Sequence, residues 1–110
     1  MKIVEFSEKL NLQVINETNK EIKIEGVYIG DLLSIVMAKA KQNYAWITIQ
    51  THINIVAVAD LLDLACIIIV ENMEIEDEAM EKARELDIPV FKTNKSAYNV
   101  ACDLCSMGIK

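Results

Sequence analysis

Residues 46–64, Trp46-Ile47-Thr48-Ile49-Gln50-Thr51-His52-Ile53-Asn54-Ile55-Val56-Ala57-Val58-Ala59-Asp60-Leu61-Leu62-Asp63-Leu64, decide the fold class. The first four are bulky or β-branched, as a strand buried on both faces requires, and residues 53–64 stay apolar long enough for a buried helix. Gln50, Thr51, His52 and Asn54 lie at the junction. A parallel strand that hands over to a helix ends at the carboxyl edge of its sheet, where open α/β folds bind their ligands. The polar group at this junction therefore marks a candidate site.

The same alternation continues downstream. Strands at 44–50, 66–70 and 88–92 and helices at 53–64, 76–86 and 96–107 form a β-α-β-α-β-α series, and right-handed crossovers make the three strands parallel with helices covering the sheet. Helix 76–86 carries Ala79, Met80, Ala83 and Leu86 on one face, and acidic residues crowd its start, as the helix dipole prefers. Upstream the pattern is shorter. Residues 2–6 alternate like a strand, Ser7 can cap a brief turn at 8–10, 12–15 is extended, 16–20 is a polar turn, and 21–28 alternates charged and apolar residues as a half-exposed strand does. Gly30 breaks that run, and Asp31 is placed to cap a helix over 32–41.

With 110 residues, the chain is expected to form one domain spanning 1–110, large enough to bury roughly 65% of its unfolded surface. It is 53% hydrophobic but only 5% aromatic, so the core is expected to be aliphatic. No apolar run approaches the roughly 20 residues of a membrane span, and Lys2, Glu5, Glu8 and Lys9 interrupt any secretory signal, so a cytoplasmic location is expected. A net charge of −6 opposes binding to nucleic acid or anionic membranes. Three cysteines suit free thiols in a reducing compartment.

Several chemistries are disfavoured by what is missing. Three glycines and no Gly-rich fingerprint leave no loop to wrap a nucleotide's phosphates. His52 is the sole histidine; beside Thr51 at a helix start it can contact an anion, cap the helix or carry a proton. One histidine does not build a usual metal site. Cys102 and Cys105 form a lone C-x-x-C late in a helix, where the dipole raises rather than lowers a thiol pKa, so a structural role is expected. Glu71, Glu74, Glu76, Asp77 and Glu78 lack the spacing of a calcium loop and read as a solvated acidic helix start. Asn94-Lys95-Ser96 follows strand 88–92 and opens at the same sheet edge as Thr51 and His52. The candidate ligand site is accordingly Gln50, Thr51, His52, Asn54, Asn94, Lys95 and Ser96, with no catalytic residue, metal or cofactor assigned.

Gly26-Val27-Tyr28-Ile29-Gly30-Asp31-Leu32-Leu33-Ser34, Trp46-Ile47-Thr48-Ile49-Gln50-Thr51-His52 and Ile88-Pro89-Val90-Phe91-Lys92-Thr93 together resemble the DRTGG domain family, with the likeness extending over residues 21–109. That family is similar to the N-terminal domain of HPr kinase/phosphorylase and to an accessory domain of phosphotransacetylases. The resemblance implies a three-layer α/β/α fold around a largely parallel sheet, and a regulatory role with catalysis in other domains. It also hints at anaerobic redox or fermentative metabolism. Where the family's namesake motif places Asp-Arg, this chain has Thr51-His52, and where a Gly-Gly pair follows the next strand it has Glu71-Asn72.

The leading expectation is a non-catalytic sensing domain that binds a small metabolite or nucleotide at the carboxyl edge. The alternatives are an assembly module for a partner enzyme or regulator and, third, a hydrolase or transferase using His52. Helices 32–41 and 53–64 are apolar around most of their circumference, which predicts a homodimer, or a higher oligomer of such dimers, with Val36 and Val58 on the contact face.

Overall fold

The computed structural model describes residues 1–110. Its elements are α1 (Ile3–Leu10), β1 (Gln13–Asn16), β2 (Gly26–Ile29), α2 (Leu33–Lys39), β3 (Tyr44–Thr48), α3 (Asn54–Leu62), β4 (Cys66–Ile69), α4 (Asp77–Leu86), β5 (Val90–Lys92) and α5 (Ala97–Ser106). One five-stranded sheet has the order β1-β5-β4-β3-β2. Strands β2 to β5 are parallel, and β1 closes one edge antiparallel to β5.

Each parallel strand lies beside its successor, so the three crossovers all step in one direction. Right-handed connections then place α2, α3 and α4 on the same face. Val36, Ile55, Val56, Ala79 and Ala83 from those helices pack on Trp46, Ile67, Ile69 and Val90. The alternate strand residues Ala45, Ile47, Cys66, Ile68 and Phe91 point the other way and meet Phe6 and Leu10 of α1 and Val100 and Leu104 of α5. The result is a three-layer α/β/α fold in which β4, Cys-Ile-Ile-Ile, is fully buried.

Local chemistry sets the element ends. Helices α1, α3 and α4 each stop at a left-handed residue, Asn11, Asp63 and Asp87, whose short polar side chains tolerate that conformation. Ser96 caps α5, its Oγ accepting the Asn99 N–H at 3.2 Å.

Three expectations from the N-terminal third are corrected. Residues 2–6 are not a strand. They open α1, because Ile3, Phe6, Ser7 and Leu10 fall at helical spacing and all four are buried. Of the alternating run 21–28 only its end pairs in the sheet; residues before Gly26 form no strand, although Ile22 is buried and its N–H reaches the Met1 carbonyl at 2.6 Å. Asp31 does not cap α2, whose N-cap is Leu32 without a side-chain bond. The Asp31 carboxylate accepts instead from the Thr48 hydroxyl at 2.8 Å and the Ile49 N–H at 3.0 Å, fastening the carboxyl ends of β2 and β3 together.

The apolar helices α2 and α3 are covered on one side only. Val36 and Val58 face the core, at 0% and 6% exposure, whereas Leu32, Ile35, Met37 and Leu61 are exposed. No helix is long and apolar enough to cross a membrane.

Candidate functional site

All seven residues expected at the site lie at or just beyond the carboxyl edge, but β4 lies between β3 and β5, so two strand spacings, about 10 Å, part the 50–54 group from the 94–96 turn. Around β3 the polar groups are occupied by the fold. Gln50 donates its side-chain N–H to the Asp31 carbonyl at 2.8 Å, and the Thr51 carbonyl accepts from the Glu76 N–H at 3.2 Å, tying this edge to the start of α4. His52 is exposed, and its Nδ1 accepts the Asn54 N–H at 3.2 Å. It acts as a local cap for the turn into α3, and Asn54 itself points to solvent.

Around β5 the residues divide between the two sides of the sheet. Lys95 turns toward α1 and α5, where its ammonium donates to the Leu10 carbonyl at 2.7 Å and pairs with Asp103 at 2.9 Å. A cation at the last carbonyls of α1 is where the helix dipole favours it. Ser96 is engaged as the α5 cap. Asn94 is exposed and borders a polar cleft of about 350 Å³, lined also by Asn11, Leu12, Gln13, Asn72, Lys92 and Thr93.

The cleft adjoins a branch in the topology. The loop after β4 leads to α4 on one face, and the loop after β5 leads to α5 on the other. Strand ends whose following helices diverge to opposite faces make the crevice in which open α/β sheets bind ligands. Here the two loops are laced together: the Glu71 N–H donates to the Lys95 carbonyl and the Asn72 N–H to the Thr93 carbonyl, both at 2.9 Å. Glu71 and Asn72 are both left-handed, at φ 60° and 56°, the conformation a glycine pair adopts without cost.

Both lysines at this end are paired with carboxylates. Lys92 is buried and ion-paired with Glu74, and Lys95 is paired with Asp103. Four of the seven residues lining the cleft, Asn11, Gln13, Asn72 and Asn94, carry carboxamides, each with a donor and an acceptor in one plane. Asn11, Gln13, Asn72, Lys92 and Thr93 were not expected at the site. Asn11 and Gln13 join it only because α1 delivers β1 to the far side of β5, and no local pattern announces that pairing.

The remaining chemistry-bearing groups are dispersed. Cys66 is buried in β4, and burial pushes its thiol well above the ordinary range. Cys102 and Cys105 are exposed on α5, and the neighbouring Cys102 side chain raises the pKa of the Tyr98 hydroxyl. No three histidine, cysteine or carboxylate side chains gather closely enough to hold a metal ion.

Among curated proteins none matches this chain. A structure of the CBS and DRTGG domains of the regulatory region of Clostridium perfringens pyrophosphatase, complexed with its activator diadenosine tetraphosphate, superposes with a TM-score of 0.74 at 16% identity. The likeness covers 92% of this chain and 44% of that one, so the chain spans less than half of the regulatory region it resembles. The DRTGG domain itself matches residues 5–107, from α1 through the end of α5, and the chain belongs to the DRTGG domain family.

Proposed function

We propose that this chain is a sensing domain that binds a small polar metabolite or nucleotide in the Asn94 cleft and passes the bound state to a partner, with catalysis residing elsewhere. The observation that carries this reading is the amide-bordered cleft beside the branch between the β4 and β5 loops. Family membership supports a regulatory role, and the activator of the clostridial regulatory region makes adenine nucleotides the first ligands to test. With Lys92 and Lys95 both neutralised by carboxylates, the cleft favours a base edge or ribose over a polyphosphate chain. Carboxamides match adenine's adjacent donor and acceptor bidentately.

Thermal denaturation with adenosine, adenine mononucleotides and diadenosine tetraphosphate tests this. A ligand at 100 times its dissociation constant adds about 2.7 kcal/mol of stability. Asn72→Ala and Asn94→Ala are expected to abolish that gain, while His52→Ala retains it. Absence of any shift at millimolar ligand overturns the reading, and a shift lost only in His52→Ala moves the site to β3.

A further inference from the structure

Beyond any ligand, the sheet itself has an unfinished side. Strand β2 pairs with β3 on one edge and with nothing on the other. The Gly30 N–H donates to the Ile47 carbonyl, so by the two-residue period Val27 and Ile29 turn their backbone groups outward. Proteins that keep such an edge free blunt it with lysine, proline or a bulge. Gly26-Val27-Tyr28-Ile29 has neither residue, and its register against β3 is unbroken.

Apolar side chains flank this edge on both faces of the sheet. On the α2 side, Leu32 is 61% exposed and Ile35 46%; they share a flank of α2 with Lys39, and the right-handed path from β2 to β3 turns that flank outward past β2. On the other side Ile29 is 46% exposed, because α1 and α5 pack on each other and α1 against β1, at the far end of the sheet.

We infer that the β2 edge is the docking surface for a second copy of this chain, joined antiparallel across a two-fold axis into one ten-stranded sheet, with α2 against its counterpart. A strand edge is complementary to itself in that orientation, and an isologous contact closes as a dimer instead of growing into a fibre. Charge selects the same partner. Helix α2 runs back against β2, so the axis brings the end of α2 bearing Lys39 and Lys41 to the Asp31 end of the other copy.

Light scattering at tens of micromolar tests the surface, with twice the 12.4 kDa chain mass expected. Leu32 and Ile35 are exposed in the protomer, so the double variant Leu32→Glu/Ile35→Glu is expected to keep its circular dichroism and read 12.4 kDa. Val27→Pro removes an outward N–H at an edge that tolerates proline, and is expected to dissociate the dimer as well. In the wild type the Ile29 amide is expected to exchange at least roughly tenfold more slowly than in the double variant. A wild-type mass of 12.4 kDa, a double variant that stays dimeric, or a dimer whose Ile29 amide exchanges as freely as in the variant each overturns the inference.

Discussion

Asn16 shows how much one side chain can carry. It is 8% exposed at the irregular end of β1, and its amide donates to the Ala83 carbonyl at 3.0 Å and the Ile88 carbonyl at 2.8 Å. It thereby joins the antiparallel edge strand to the last turn of α4 and the entry to β5. Asn16→Ala leaves two carbonyls without that donor and is expected to lower stability by about 2 kcal/mol, read as a shift in the urea midpoint at unchanged slope. Asn16→Asp is expected to cost more, because a carboxylate only accepts and would face two carbonyls. Equal effects of the two substitutions would show that packing, not the donor, matters here. By contrast His52, exposed and bonded only to its own turn, has little to lose on truncation.

At the scale of an element, the loop leaving β4 holds two consecutive left-handed residues. Asparagine tolerates that conformation, but glutamate at Glu71 pays a steric penalty of roughly 1 kcal/mol. Glu71→Gly removes the penalty and gives part of it back as unfolded-chain entropy. The expected net gain is about 0.5 kcal/mol, some 2–4 °C in melting temperature, whereas Asn72→Gly is expected to be near neutral. A lower melting temperature for Glu71→Gly would mean that the glutamate side chain makes a contribution larger than its backbone strain. The two N–H groups that lace this loop to the β5 loop survive either change, because both belong to the backbone.

Across the whole molecule, stability is concentrated in the middle of the sheet. Ile67, Ile68 and Ile69 are fully buried, with Ile67 and Ile69 packing under α2 to α4 and Ile68 under α1 and α5. Ile68→Ala is expected to cost about 2–5 kcal/mol, a large share of the roughly 5–15 kcal/mol a domain of this size commands. Calorimetry checks it, and a loss below about 1 kcal/mol would show that the α1–α5 layer collapses to fill the space. The edges are different. Strand β2 is unpaired on its outer side and the three-helix face leaves Leu32, Ile35 and Leu61 uncovered, whereas Val36 and Val58 are buried, so substitutions at those two would unfold the chain instead of probing that surface.

The β-α-β-α-β series from Tyr44 onward was legible in the sequence because its signals are local. A four-residue aliphatic run, a helical spacing of alanines and a capping serine act within one element, and right-handed crossover then dictates the layers. The DRTGG resemblance was likewise carried by short stretches along the chain. The N-terminal third was not legible in this way. Ile3, Phe6 and Leu10 become a helix face only because β5, α5 and the 20–25 segment stand ready to cover them, and β1 finds its place beside β5 across more than seventy residues of chain. The cleft followed from that pairing, since Asn11 and Gln13 meet Asn94 only after it forms. The direction of Lys95 depended on it too: a lysine in a turn has no preferred side until a helix end supplies carbonyls and Asp103 supplies charge. Sequence alone determined which residues are apolar at which period; only the tertiary structure decided which polar groups the fold consumes and which it leaves facing solvent.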